Sequence, residues 1–148
     1  MKHTLKSGFT LIELLIVIAL IAVLAGAVII ALNPARQFQQ ARDSERWSHM
    51  SVLANAIQQN TTENRGVWTC AAGVIPTSTT AISDTGYDIC DCLVPNHLAA
   101  LPYDPSTGNF TACTAAYDTG YTISRDPTSG RVTVAATPEL AAAISVTQ

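Results

Sequence analysis

Residues 9–32, FTLIELLIVIALIAVLAGAVIIAL, decide the fold, because these 24 consecutive residues carry a single charged side chain, Glu13. As a helix rising ~1.5 Å per residue they extend roughly 36 Å, enough to cross a ~30 Å hydrocarbon core. A polar leader, MKHTLKSG, precedes them with Lys2 and Lys6 and ends at Gly8. By the positive-inside tendency those lysines keep the N-terminus in the cytoplasm, so the remainder is exported. The apolar run is longer than the ~7–15 residues of a secretory h-region. No small-x-small site closes it either, since Ala25-Gly26-Ala27 is followed by the apolar Val28–Leu32. Hydropathy alone makes the segment a membrane anchor.

A chain of 148 residues leaves room beyond Leu32 for one small domain. Removing Lys2 and Lys6 from the eight basic side chains leaves six against eleven acidic ones, a net −5. Nucleic-acid binding draws on a basic stripe that displaces counterions from phosphates, so this balance argues against a nucleic-acid partner.

All four cysteines, Cys70, Cys90, Cys92 and Cys113, lie downstream of the anchor. An even count in a small exported domain favours two disulfides over free thiols. Three pairings are open. In an extended strand Cys90 and Cys92 would stand about 7 Å apart on one face, so each is expected to bond Cys70 or Cys113 instead. Cys90-Asp91-Cys92 also lacks the gap of two to four residues usual in zinc sites, and no cofactor or metal is expected.

Gly8 followed by Phe9-Thr10-Leu11-Ile12-Glu13 resembles the class III signal of type IV pilins and type II secretion pseudopilins. The resemblance covers about the first 32 residues and fixes cut site, aromatic, carboxylate and apolar span together. It implies cleavage between Gly8 and Phe9 by a membrane prepilin peptidase and N-methylation of Phe9. It also implies a filament core in which Glu13 pairs with the Phe9 amine of a neighbouring copy. Partners would be other copies of the chain in a helical homopolymer, an assembly platform protein and an ATPase motor. The precursor would span the inner (cytoplasmic) membrane once, and the product would be an extracellular or periplasmic filament. A carboxylate at mid-bilayer costs on the order of 2.5–3.5 kcal/mol, so such residues are usually functional. Glu13 lies four residues from Phe9, roughly 6 Å along a helix, where that cost is smaller. In a packed apolar core it needs a partner charge.

The implied fold is α+β, a long N-terminal helix packed on a small antiparallel sheet. Residues 1–8 form the leader, 9–34 the transmembrane or filament-core helix, 35–60 an amphipathic half, and 61–148 a head of loops and strands. Gly26 and Pro34 mark an expected kink or local melting, because Pro34 has no N–H for Ile30 and crowds its carbonyl. From Ala35, Phe38, Ala41, Trp47, Met50, Leu53, Ala54 and Ile57 recur at 3–4 spacing and predict one buried face. Asp43/Arg46 and Glu45/His49 are spaced to pair on the exposed side. The helix is expected to end near Asn60, where Thr61-Thr62 and Gly66 follow.

Residues 61–108 read mostly as loop, with a short strand at Trp68–Cys70 and a helical turn at Pro95–Ala100. Leu101-Pro102-Tyr103-Asp104-Pro105 resembles the loop before the sheet in major pseudopilins. Some of those relatives bind calcium, which makes Asp84, Asp88, Asp91 and Asp104 candidates. Turn-forming Asp is the preferred reading, because no EF-hand spacing exists. Strands are expected at Phe110–Ala116, Tyr121–Arg125, Arg131–Ala135 and Ile144–Thr147, with a turn at Asp126–Gly130.

Catalysis has little support. Beyond the leader only His49 and His97 are neutral-pH acid–base candidates, and no nucleophile elbow or phosphate loop occurs. A filament subunit accounts for leader, cut site, Glu13, long helix and disulfide-linked head together. The alternative, a monomeric membrane-anchored extracytoplasmic binding domain, accounts only for the anchor.

Overall fold

The computed structural model describes residues 8–148, and its first helix, α1 (Leu11–Leu32), starts where the sequence supplies a cap. The leader outside these bounds, residues 1–7, lies outside the described residues. Thr10 is extended (φ −82°, ψ 153°), and its hydroxyl accepts the Glu13 N–H at 3.3 Å. The Glu13 carboxylate in turn accepts the Thr10 N–H and hydroxyl, each at 2.8 Å. This is a reciprocal capping box that satisfies helix-start donors. No residue of α1 is buried, and the helix is long and apolar enough to cross a membrane. A helix apolar on every side belongs in lipid or against other apolar surfaces.

α1 passes Gly26 without interruption and stops at Asn33, which is left-handed (φ 42°, ψ 76°). The next helix, α2 (Pro34–Glu63), begins at once. Asn is tolerated in the left-handed region and is also a preferred N-cap; Pro suits the first helical position, where its missing donor is not needed. Asn33 Oδ1 faces the Arg36 N–H at 3.5 Å, and Gln37 Nε2 donates to the Leu32 carbonyl at 3.1 Å. The expected break over Gly26–Pro34 is thus confined to Asn33-Pro34 in the single chain. Gly26 keeps its N–H and costs a helix only about 1 kcal/mol against Ala, whereas Pro34 cannot donate at all.

The chain divides into two compact units, one ending at Phe38 and one spanning Gln39–Gln148. Within the second, Asp43, Arg46, Met50, Leu53, Ile57 and Asn60 of α2 are buried, a continuous 3–4 stripe. Met50, Leu53, Ala54 and Ile57 share one core with Ile82, Tyr121, Ile123, Val134 and Ile144. Burying each large apolar side chain contributes about 1.5–3 kcal/mol. The predicted face thus holds from Met50 to Ile57 and is rotated only before Met50. Phe38, Ala41 and Trp47 are exposed, and the Asp43/Arg46 pair assigned to the surface lies inside. His49 is half-buried, with Nδ1 2.7 Å from the Tyr121 hydroxyl, rather than a plain surface residue.

The sheet has four antiparallel strands in the order β1 (Thr80–Ser83), β2 (Asp118–Arg125), β3 (Val132–Ala136) and β4 (Ile144–Thr147). The fold is α+β, as the resemblance implies. Asp126 sets the β2–β3 turn, its carboxylate accepting the N–H groups of Thr128 and Ser129 at 2.8 and 2.7 Å. β1 falls in the stretch read as loop. It is short, bulged between Ala81 and Ser83, and at the sheet edge, so its pattern has little length in which to declare itself. Phe110–Ala116 is not a strand; only Asn109 bridges Asp118, and Phe110 lies edge-on to Tyr117. Trp68–Cys70 forms no strand, and the helical turn expected at Pro95–Ala100 is confined to residues 94–97, where the His97 N–H reaches the Leu93 carbonyl at 2.8 Å.

The short helix α3 (Cys90–Leu93) takes up the Cys-Asp-Cys triplet. At about 100° per residue, Cys90 and Cys92 point to nearly opposite sides of it. Cys92 bonds Cys70 and Cys90 bonds Cys113, closing loops with separations of 22 and 23 residues. Replacing Cys70 and Cys92 together by Ala should cost about 3 kcal/mol by the chain-entropy relation. The urea midpoint measures this, and an unchanged midpoint would show that the bridge constrains nothing.

Candidate functional site

The N-terminal segment is built from three exposed elements: an open Gly8, a projecting Phe9 and the Thr10–Glu13 cap. Phe9 is 84% exposed. A side chain added at Gly8 would meet no atom within 4 Å, so neither crowding nor a left-handed backbone demands glycine there. Glu13 is the one acidic residue in α1, and its carboxylate is engaged by Thr10 rather than by Phe9. The arrangement thus presents an exposed aromatic side chain and a carboxylate held at the mouth of an apolar helix.

Residues 4–29 match the family described as the prokaryotic N-terminal methylation motif. The matched segment is similar to the class III signal of type IV pilin-like prepilins. No curated protein and no solved structure matches the chain. The match covers the N-terminal segment alone, and the helix that follows, α1, is long and apolar enough to cross a membrane.

The second unit, Gln39–Gln148, holds another constellation, of which sequence reasoning found only the Asp43/Arg46 pairing and placed it on the exposed side. Arg46 is 2% exposed and donates to Asp104 from Nε (2.6 Å) and Nη2 (3.1 Å). Its Nη1 reaches Asp43 at 2.8 Å and Glu139 at 3.0 Å, and Nη2 reaches the Ser106 hydroxyl at 2.7 Å. Arg42 closes the group through a two-pronged bond to Glu139, at 2.6 and 2.5 Å. Asp43 also accepts the backbone N–H groups of Glu139, Leu140 and Ala141 at 2.8–3.0 Å. Asp104 likewise accepts those of Ser106 and Thr107, at 2.8 and 3.0 Å. Gly108 seals this loop, since a Cβ there would come within 2.5 Å of the Asp104 nitrogen and the Thr119 oxygen.

Burial alone would raise the Asp43 and Asp104 carboxyls. For Asp43 the three backbone donors and Arg46 outweigh it, and for Asp104 the Arg46 and Ser106 bonds do, so both are held well below the usual range. The Arg46 guanidinium is correspondingly raised by Asp104 first, against its own burial. With its bonding capacity consumed internally, the group ties loops to α2.

The remaining sites stand apart from one another. Of the calcium candidates, Asp104 is committed to Arg46, and Asp88 accepts the Tyr117 hydroxyl at 2.7 Å and the Cys90 N–H at 3.0 Å. Asp84 and Asp91 are exposed, and among the described residues no three His, Cys, Asp or Glu side chains gather as a metal site. His97 lies 3.9 Å from Glu63, far along the fold from the His49–Tyr121 contact.

Proposed function

We propose that the chain is a structural, non-catalytic subunit of a type IV pilus or pilus-like filament. Prepilin peptidase cuts between Gly8 and Phe9, Phe9 is N-methylated, and subunits then assemble through the N-terminal helix. Residues 9–34 serve as membrane anchor and then as filament core, 35–60 as the helical half that joins the head, and 61–148 as the exposed head. Glu13 pairs with the Phe9 amine of the next subunit, while Gly26 and Asn33-Pro34 let the helix yield in the filament. An ATPase motor and an assembly platform protein drive extraction from the inner membrane.

One observation carries this reading: an apolar helix with no buried residue bears a single carboxylate one turn from a matched processing signal. The openness around Gly8 adds support, because a glycine without a folding duty suits recognition by a peptidase. Mass spectrometry of the mature chain should find N-methyl-Phe9 at its start, and Gly8→Arg should retain the leader. An intact Met1 on the membrane-inserted wild type would overturn the proposal in favour of a plain anchor.

A further inference from the structure

We propose that the head binds a small organic monoanion, a carboxylate on one aromatic ring or short aliphatic body, at Arg125. On β2 the residues Thr119, Tyr121 and Ile123 alternate into the core, and Arg125 takes the next inward place. Its backbone is fixed by the bond from its N–H to the Pro76 carbonyl at 2.8 Å. Its Nε is buried and has no hydrogen-bond partner among the described residues. Arg42 and Arg46, by contrast, each have carboxylates. Arg125 as a whole is half-buried, so its guanidinium keeps an exposed edge, and that group offers a fork matched to a carboxylate.

Arg125 lines a hollow of about 240 Å³ together with Trp68, Val67, Val74, Ile75 and Val132. That is below the ~300 Å³ at which drug-sized sites begin, so it suits one ring or a short chain. The Trp68 wall is held in place: its Nε1 donates to the Tyr87 hydroxyl at 2.8 Å, which donates to the Gly73 carbonyl at 2.8 Å. Val67 and Val74 are 64% and 74% exposed, an apolar rim for the body of a ligand whose charge meets Arg125. One cation set in apolar walls selects an amphiphilic anion.

The test uses the full chain in dodecyl maltoside micelles, with 4-(trifluoromethyl)benzoate followed by fluorine NMR and empty micelles as blank. Binding should saturate, and the neutral 4-(trifluoromethyl)benzyl alcohol should bind at least about tenfold more weakly, as loss of a charge-assisted bond requires. Arg125→Gln should erase that preference and Arg125→Lys should keep part of it. Equal binding of acid and alcohol by the wild type would overturn the proposal, as would benzoate binding no greater than to empty micelles. Because the acid–alcohol comparison needs no variant, a misfolded Arg125→Gln leaves the test intact.

Discussion

Glu13→Gln should be processed and inserted normally yet yield filaments reduced by two orders of magnitude or more in sheared-filament preparations. The substitution separates two jobs of one side chain. Gln serves the N3 place of a capping box as well as Glu does, so the bond to Thr10 survives. Only the charge is lost. If Glu13 neutralises the Phe9 amine of a neighbour inside an apolar core, its removal leaves that ammonium unpaired, at a cost of about 3–5 kcal/mol per interface. Each ~1.4 kcal/mol is a factor of ten, so assembly collapses while folding does not. Thr10→Val makes the opposite cut. It removes the hydroxyl that accepts the Glu13 N–H, costing about 1 kcal/mol of cap, but keeps the carboxylate. Filaments should persist in that variant. Wild-type filament yield from Glu13→Gln would mean that Glu13 is a helix cap and nothing more.

That segment was legible because everything it needs is contiguous. Gly8, Phe9, Thr10 and Glu13 sit within six residues, and an apolar run declares itself by composition without reference to the rest of the fold. The head is a different case. Arg46 meets partners 58 and 93 residues away, which no local spacing reveals. Hydropathy misled the reading of α2, because three of the six places on its inner stripe are polar: Asp43, Arg46 and Asn60. Each is buried since it ties down a loop. Asn60, for instance, donates to the carbonyls of Thr69 and Cys92 at 3.1 and 3.2 Å. The unbroken spacing from 43 to 60 was the available signal, though it required admitting charges to a core face. Phe38 and Trp47 drew the predicted face around the helix, and both stay exposed. The turn at Asp126 was readable for the opposite reason, since its bonds close within three residues.

Arg46→Met should destabilise the head by about 3–5 kcal/mol, the cost of leaving buried carboxylates without their cation. For a unit of this size that is a large share of a total stability of about 5–15 kcal/mol. The melting midpoint, read by near-ultraviolet circular dichroism, should fall by more than about 10 °C. Adding Asp104→Asn should recover part of the loss. Asn keeps an oxygen for the N–H groups of Ser106 and Thr107 and removes the stranded charge, while Asp43 retains its three backbone donors. The pH dependence has a definite sign. Asp43 and Asp104 are held below their ordinary values, so their contribution is complete above the unfolded pKa of about 3.9 and is lost as pH falls through the lower folded values. Arg46 is shifted upward and stays charged throughout, so it adds no slope of its own in acid. Wild-type stability should therefore decline below about pH 4. Arg46→Met, already without the guanidinium that favours both carboxylates, should decline less steeply over the same range. Parallel acid profiles for the two proteins, or an unshifted midpoint for the variant, would remove the Arg46 cluster from any account of how the head is held together.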